Sequence, residues 1–339
     1  MSITRRSLLM APFVLAACKF EQDLLQVTGS TMGTYYKVTA VGVPGSITQS
    51  KMGNLIEKSL GEANRRLSNW DANSEISQFN ASQSTDNIVM SPVLAKVMNA
   101  AARVNELSLG RFDTTLTPLI ELWGFGAKGP VGTKPSGAQI AAAMKQSGHQ
   151  NNLSITANTV KKKNPKAQVF LSAIGKGFGV DLIARSLESA GIQNYLIEIG
   201  GDLYAKGHNE KGQPWRVGVE IPRATGSGVM EIVGISNLGM ASSGDYRNYF
   251  EQNGVRYSHL LDPITGMPIS HHSASATVLA EDGMLADAWA TAMLILGRKE
   301  GMKIADENNI AVMFIDRDFD NGPGRFTAHK NALFEALQA

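Results

Sequence analysis

The chain carries a few segments whose residue types and spacing suit chemistry. One is Asp287-Ala288-Trp289-Ala290-Thr291. In a helix, positions i and i+4 share a face, so this carboxylate and hydroxyl would project together. Two hard oxygen donors suit Mg²⁺ better than zinc. An acid in a mostly apolar helix is costly unless paired or metal-bound, although a surface face or a helix cap fits the same spacing. A second segment, Leu171 to Asp181, reads as a strand entering a Gly175–Gly179 turn and then a helix. That geometry turns backbone N–H groups toward an anion, and Lys176 adds a charge. A plain tight turn with a solvated lysine reads the same way. The third segment is Tyr257 to Pro268, where Asp-Pro and Thr-Gly steps force a turn just after His259. An imidazole near a sheet edge can be a base, an acid or a phosphate partner, or a satisfied core histidine.

Other patterns exclude chemistry. Gly124-Phe125-Gly126-Ala127-Lys128-Gly129 matches G-x-G-x-x-G, but Pro130 follows where a dinucleotide site needs a helix. No G-x-S-x-G elbow is present, and His271-His272 lack well-spaced further ligands. The chain has one cysteine, which rules out an internal disulfide, a multi-cysteine zinc site and a Cys-x-x-Cys redox pair.

These residues need a scaffold. Thr34–Val41 is β-branched and aromatic and predicts a strand. Ser50–Leu67 has helical spacing, and Pro92 opens a second helix that ends near Gly110. Ile140–Met144 predicts a short helix, and Val180–Ala190 a longer one stopped by Gly191. Val169–Leu171, Tyr195–Ile199, Trp215–Ile221, Ser275–Ala280 and Ala311–Ile315 read as strands. Leu285–Leu296 reads as an apolar helix closed by Gly297. Strands and helices mix without a strict βαβ rhythm, so the fold class is α+β. A boundary near 150–168 is expected.

The 339 residues hold 32 Lys+Arg against 30 Asp+Glu, and such a balance gives no general attraction to nucleic acid. Residues 1–18 read as an address. Arg5 and Arg6 precede an apolar stretch from Leu8 to Ala17 that is too short to span a bilayer. It ends in Leu15-Ala16-Ala17-Cys18, which resembles a bacterial lipobox whose cysteine becomes the lipidated N-terminus. Thr4 to Leu9 also resembles a twin-arginine signal. The reading is a signal peptide over 1–18, a tether over 19–30 and a folded domain over 31–339. That domain is then exported to the cell envelope, facing the periplasm and held at the membrane through Cys18.

Taken together, the segments resemble the ApbE family, the FAD:protein FMN transferases. The resemblance runs in order along the mature chain, from Gly29-Ser30-Thr31-Met32-Gly33-Thr34 through Arg66 to Trp70, Ser74 to Asn80 and Gly110-Arg111-Phe112-Asp113. It continues with the Gly-Lys-Gly segment, Gly200-Gly201-Asp202, Ser242 to Tyr249, His259 and Ala286 to Thr291. It implies antiparallel and mixed sheets with packed helices in a two-lobed architecture, with the flavin site between the lobes. By the resemblance, Asp287, Thr291 and an oxygen of Ala173 match Mg²⁺ ligands. Met32, Trp70, Arg111, Phe112, Asp113, Lys176 and His259 match flavin-nucleotide contacts. Trp70 stands where tyrosine is usual, and its indole can still stack on a flavin ring. Phe170 stands where the family usually has an aspartate that touches FAD, and an apolar ring cannot accept that hydrogen bond.

The implied reaction takes FAD as substrate and Mg²⁺ as cofactor. A threonine hydroxyl of a protein acceptor attacks the FMN-side phosphorus and expels AMP, with His259 and Asp287 as catalytic residues. The acceptor would be a subunit of a membrane or periplasmic electron-transfer complex. A Mg²⁺-dependent FAD pyrophosphatase and a non-catalytic flavin-binding lipoprotein are the alternatives.

Overall fold

A computed structural model describes residues 24–126, 129–226, 228–320, 322 and 324–338. The leader and Cys18 lie outside the described residues. Alternating apolar side chains build one large sheet from β1 (Leu24–Thr31), β2 (Thr34–Val41), β3 (Asn194–Ile199), β4 (Asp202–Lys206), β5 (Leu238–Gly244), β6 (Ser273–Ala280), β7 (Ala311–Arg317) and β8 (Phe326–Lys330). Its strands lie side by side in chain order, and every neighbouring pair is antiparallel. The fold is α+β, a meander whose long connections carry the helices.

The connection from β2 to β3 holds α1 (Gln49–Leu67), α2 (Glu75–Ala81), α3 (Pro92–Leu107) and α4 (Gly175–Ser189), while α5 (Gly283–Glu307) joins β6 to β7. Local chemistry starts these helices. The hydroxyls of Thr48, Ser74 and Ser91 accept first-turn N–H groups, and Pro92 sits where a missing N–H costs nothing. Met52, Ile56, Leu60, Ala63 and Leu67 form the buried stripe of α1. With α4, that stripe covers Val38, Ile197 and Ile199. Helices α3 and α5 cover Ala276, Val278 and Phe314. The opposite sheet face, with Leu279, Met313 and Ile315, is covered by the ribbon Trp215–Glu220/Val229–Ile235 and the helix Ala332–Leu337. Each fully buried aliphatic or aromatic side chain contributes about 1.5–3 kcal/mol relative to exposure.

Several expectations change. Residues 24–30 are not a tether: they are the edge strand β1, paired along its length with β2. Residues 150–168 do not divide the molecule into separate cores. Leu153, Val160 and Ala167 are buried in the same cluster as Leu94 and Ala286. Val169–Leu171 is extended but joins no ladder. Asn80 bonds both the N–H and the carbonyl of Val169, at 2.7 and 2.8 Å, and Asn69 bonds the Val169 carbonyl and the Leu171 N–H, at 2.7 and 2.9 Å. These two side-chain amides, with the Thr114 carbonyl accepting the Phe170 N–H at 2.7 Å, take the place of a neighbouring strand. The glycines from 175 to 179 are not a turn but the first turn of α4. Gly297, at φ 72° and ψ 166°, is non-helical and closes the apolar helix as the sequence predicts; past this kink a second helical segment of α5 runs to Glu307.

Candidate active site

A cleft of about 930 Å³ brings together residues far apart in sequence, among them Phe112, Asp113, Ala173, Lys176, His259, Asp287 and Thr291. Part of its wall is formed where α4 packs against α5, through Lys176, Asp287 and Thr291. A Cβ on Gly177 would stand 2.1 Å from the Gly283 carbonyl oxygen, so only glycine permits this approach. The contact lets the Gly177 N–H donate to Asp287 Oδ2 at 3.1 Å, which fixes the carboxylate. Asp181 holds the same crossing from the other side, accepting the N–H groups of Gly283 and Met284 at 2.7 and 3.1 Å. Burial and the neighbouring Asp282 push its carboxyl up to about 7, against those two bonds.

Lys176, in the first turn of α4, reaches Asp202 Oδ2 at 2.7 Å and stands 3.7 Å from Asp287 Oδ1. Burial pulls the ammonium down, but Asp202 and Asp287 outweigh it and hold its pKa above the ordinary lysine value. The Asp202 carboxyl is raised by burial and by Asp287, against the pull of Lys176. A charged lysine flanked by two carboxylates is thus the electrostatic core of the site. Asp202 carries this arrangement, yet the sequence offered it only as part of the Gly200-Gly201-Asp202 match. Its role depends on a lysine 26 positions away in the chain, across a strand turn.

One helical turn beyond Asp287, Thr291 Oγ1 lies 3.0 Å from Ser243 Oγ of β5. Asp287 and Thr291 are both in the cleft wall with Ala173. A carboxylate, a hydroxyl and a main-chain carbonyl are the donor types Mg²⁺ takes, and it keeps waters for its other positions. The residues present fit that ion. Among the described residues no group of three or more His, Cys, Asp and Glu could hold a metal. Ser243, beside Thr291, is a site residue that the sequence did not single out.

His259 stands half-buried in the wall, edge-on to Phe125 with ring centres 6.3 Å apart. Its Nδ1 lies 3.1 Å from the Asn248 carbonyl. A carbonyl only accepts, so the proton belongs on Nδ1 and the lone pair on Nε2. Burial lowers the imidazole pKa, against the opposing effects of Asn248 and Asp245. The ring is therefore mostly neutral at pH 7.

The remaining candidates occupy different places. Asp113 is engaged internally: Oδ1 accepts the N–H and hydroxyl of Thr115 at 2.6 and 2.7 Å, and Oδ2 accepts the His149 N–H at 2.9 Å. It shapes the wall with the buried Phe112. Arg111 lies beside the cleft, paired with Asp262 at 2.7 Å. Trp70 is 67% exposed at the rim and meets Phe170, a lining residue, edge-on at 6.1 Å. Met32 is behind the wall. It turns the β1–β2 hairpin with Gly33, both at positive φ, and its Cε would lie 3.1 Å from a Cβ on Gly179. Positive φ at a methionine is costly and persists only where packing holds it.

Comparison with known proteins places this architecture. The ApbE family profile matches residues 32–314. A Haemophilus influenzae protein named FAD:protein FMN transferase is 41% identical over 95% of this chain and 94% of its own length. A Vibrio cholerae protein of the same name is 39% identical over 91% and 92%. Among solved structures, flavin transferase ApbE from Vibrio cholerae superposes with a TM-score of 0.85 at 36% identity, covering 93% of this chain and 99% of that one. Flavinyl transferase ApbE from Pseudomonas stutzeri, in its apo form, gives 0.84 at 35%, covering 94% and 98%. With sequence, fold and full-length coverage in agreement, the chain belongs to the ApbE family.

Proposed function

We propose that the protein is a Mg²⁺-dependent FAD:protein FMN transferase that joins FMN to a threonine hydroxyl of a protein acceptor and releases AMP. The relatives' names support the reaction class. The observation that carries the finer reading is the placing of Asp287 and Thr291, one helical turn apart, in the cleft that holds Lys176 and His259. FAD is FMN joined to AMP through a diphosphate. The new bond runs from the threonine oxygen to the FMN-side phosphorus, the bond to the AMP oxygen breaks, and the threonine proton departs. His259 Nε2, its lone pair free, takes that proton. Lys176, charged and held by Asp202, offers its ammonium to the phosphate oxygens. Mg²⁺ held by Asp287, Thr291 and the Ala173 carbonyl would neutralise diphosphate charge.

The test is incubation with FAD, Mg²⁺ and a threonine-containing acceptor domain, followed by mass spectrometry and AMP assay. An acceptor heavier by FMN, with AMP released in equal amount, is expected. FMN and AMP beside an unmodified acceptor would instead identify a pyrophosphatase. Bound FAD with no AMP would identify a flavin-binding protein. The leader supports a lipid anchor at Cys18 on the periplasmic side, where an acceptor subunit of a membrane electron-transfer complex would be met. A Cys18→Ser chain that stayed in the membrane fraction would remove that assignment.

A further inference from the structure

The strand Trp215–Glu220 pairs with Val229–Ile235 along one side, and among the described residues no strand pairs with its other side. Arg216, Val217, Gly218, Val219 and Glu220 all line the cleft that holds Asp287 and His259. Successive residues of a strand face opposite ways, so a wall of five consecutive ones is the strand's edge and not one of its faces. Gly218, at the centre, presents main chain alone. An unpaired edge displays N–H and C=O groups whose complement is another extended backbone. This edge is also held in place. Trp215 and Val219 are buried against Leu203 and Met240 of the main sheet, and Glu220 is tied to Tyr246 and Arg247 of the cleft wall. The outer strands of the main sheet, β1 and β8, contribute nothing to this wall.

We propose that the acceptor threonine arrives on an extended segment that adds as a third strand to the edge Arg216–Glu220. The proposal rests on the transferase reading and names how the acceptor is held. Five residues of edge span about 17 Å, long enough to fix the direction of a peptide entering the cleft. Main-chain pairing tolerates varied side chains. The exposed Arg216, which has no ion pair among the described residues, favours an acidic residue on the incoming segment.

The test uses a pool of synthetic peptides with a central threonine and random flanks, incubated with the full protein, FAD and Mg²⁺, and the FMN-bearing peptides are sequenced. Proline should be depleted about fivefold at every second flanking position, where it removes a main-chain donor, and tolerated between. The Arg216→Glu chain should select peptides with basic flanks in place of acidic ones. Labelled peptides in which proline is tolerated at all positions overturn the proposal, as does an unchanged acidic preference with Arg216→Glu. A pool left unlabelled overturns it too. Whether a folded acceptor domain then gains FMN decides separately if the transferase reading stands.

Discussion

Asp287 has two tasks that can be separated at a single residue. Its Oδ2 anchors the Gly177 N–H, and its charge faces Lys176 and the metal position proposed above. Asp287→Asn keeps an acceptor for the amide while removing the charge. Mg²⁺-dependent turnover should fall on the order of 10²–10³-fold, and Mn²⁺ binding read by paramagnetic resonance should weaken in parallel, while the fold stays intact. Unchanged Mn²⁺ binding would take this residue out of the metal site. His259 makes a different prediction. His259→Ala should slow transfer by about 10²–10⁴-fold and leave FAD affinity nearly unchanged. The sign of the pH dependence follows from burial. The imidazole's pKa lies below the ordinary value of about 6.5, so the neutral form predominates at neutral pH and is lost as pH falls through that lowered pKa. The acid limb in kcat/KM should vanish in the alanine chain, and its persistence would assign the limb to another group. Much of this scale was legible: the i, i+4 oxygen pair and the histidine before a turn are local signals. Asp202 and Ser243 were not, because each acquires its role from a partner on another element.

At the scale of elements, the glycines of α4 set the geometry. A Cβ at Gly177 would meet the Gly283 carbonyl at 2.1 Å and Asp287 Cβ at 2.8 Å, and neither can swing away as a long side chain would. Gly177→Ala should therefore separate α4 from α5, costing about 1–3 kcal/mol and a few degrees in Tm. Turnover should drop further than stability, since the anchor of Asp287 goes with the contact. Gly137→Ala is the control, having open space around the added methyl; equal effects from the two substitutions would refute the account. The same crossing explains what the sequence hid. Thr34–Val41 was readable because its alternation is strong, and α1 and α3 because their caps and stripes are local. Strand β5, Leu-Gly-Met-Ala-Ser-Ser-Gly, carries no such pattern. A Cβ at Gly239 would lie 2.5 Å from the Asp282 backbone, so this strand is small where α5 begins. The extended run at 169–171 looked like a strand because its residues are apolar. That its partners are Asn69, Asn80 and the Thr114 carbonyl is a tertiary fact.

The whole molecule is built as a sheet whose neighbouring strands β2 and β3 are separated by some 150 residues of insertion, an order-of-magnitude count that matters for folding because closing so long a loop is slow. The helices of that insertion do not form a body of their own. Leu94, Met98 and Val104 from α3 share one cluster with Met284, Trp289 and Met293 from α5 and with Val312 and Phe314 from β7. The residues between, including Val160 and Val169, are buried in that cluster as well. A chain cut within 150–168 should therefore yield two fragments that are each unfolded, not two lobes. Far-ultraviolet circular dichroism and amide dispersion of the separate fragments should show little order. Mixing them, with each concentration raised together, should restore helix signal and FAD binding. A fragment ending near residue 152 that melted cooperatively by itself would show an autonomous lobe. It would also detach the cleft's two walls energetically, since Phe112 and Asp113 lie before the cut and Lys176, His259 and Asp287 after it. The site exists only where the insertion closes back on the sheet, so transfer and global stability should be lost together over one denaturant transition.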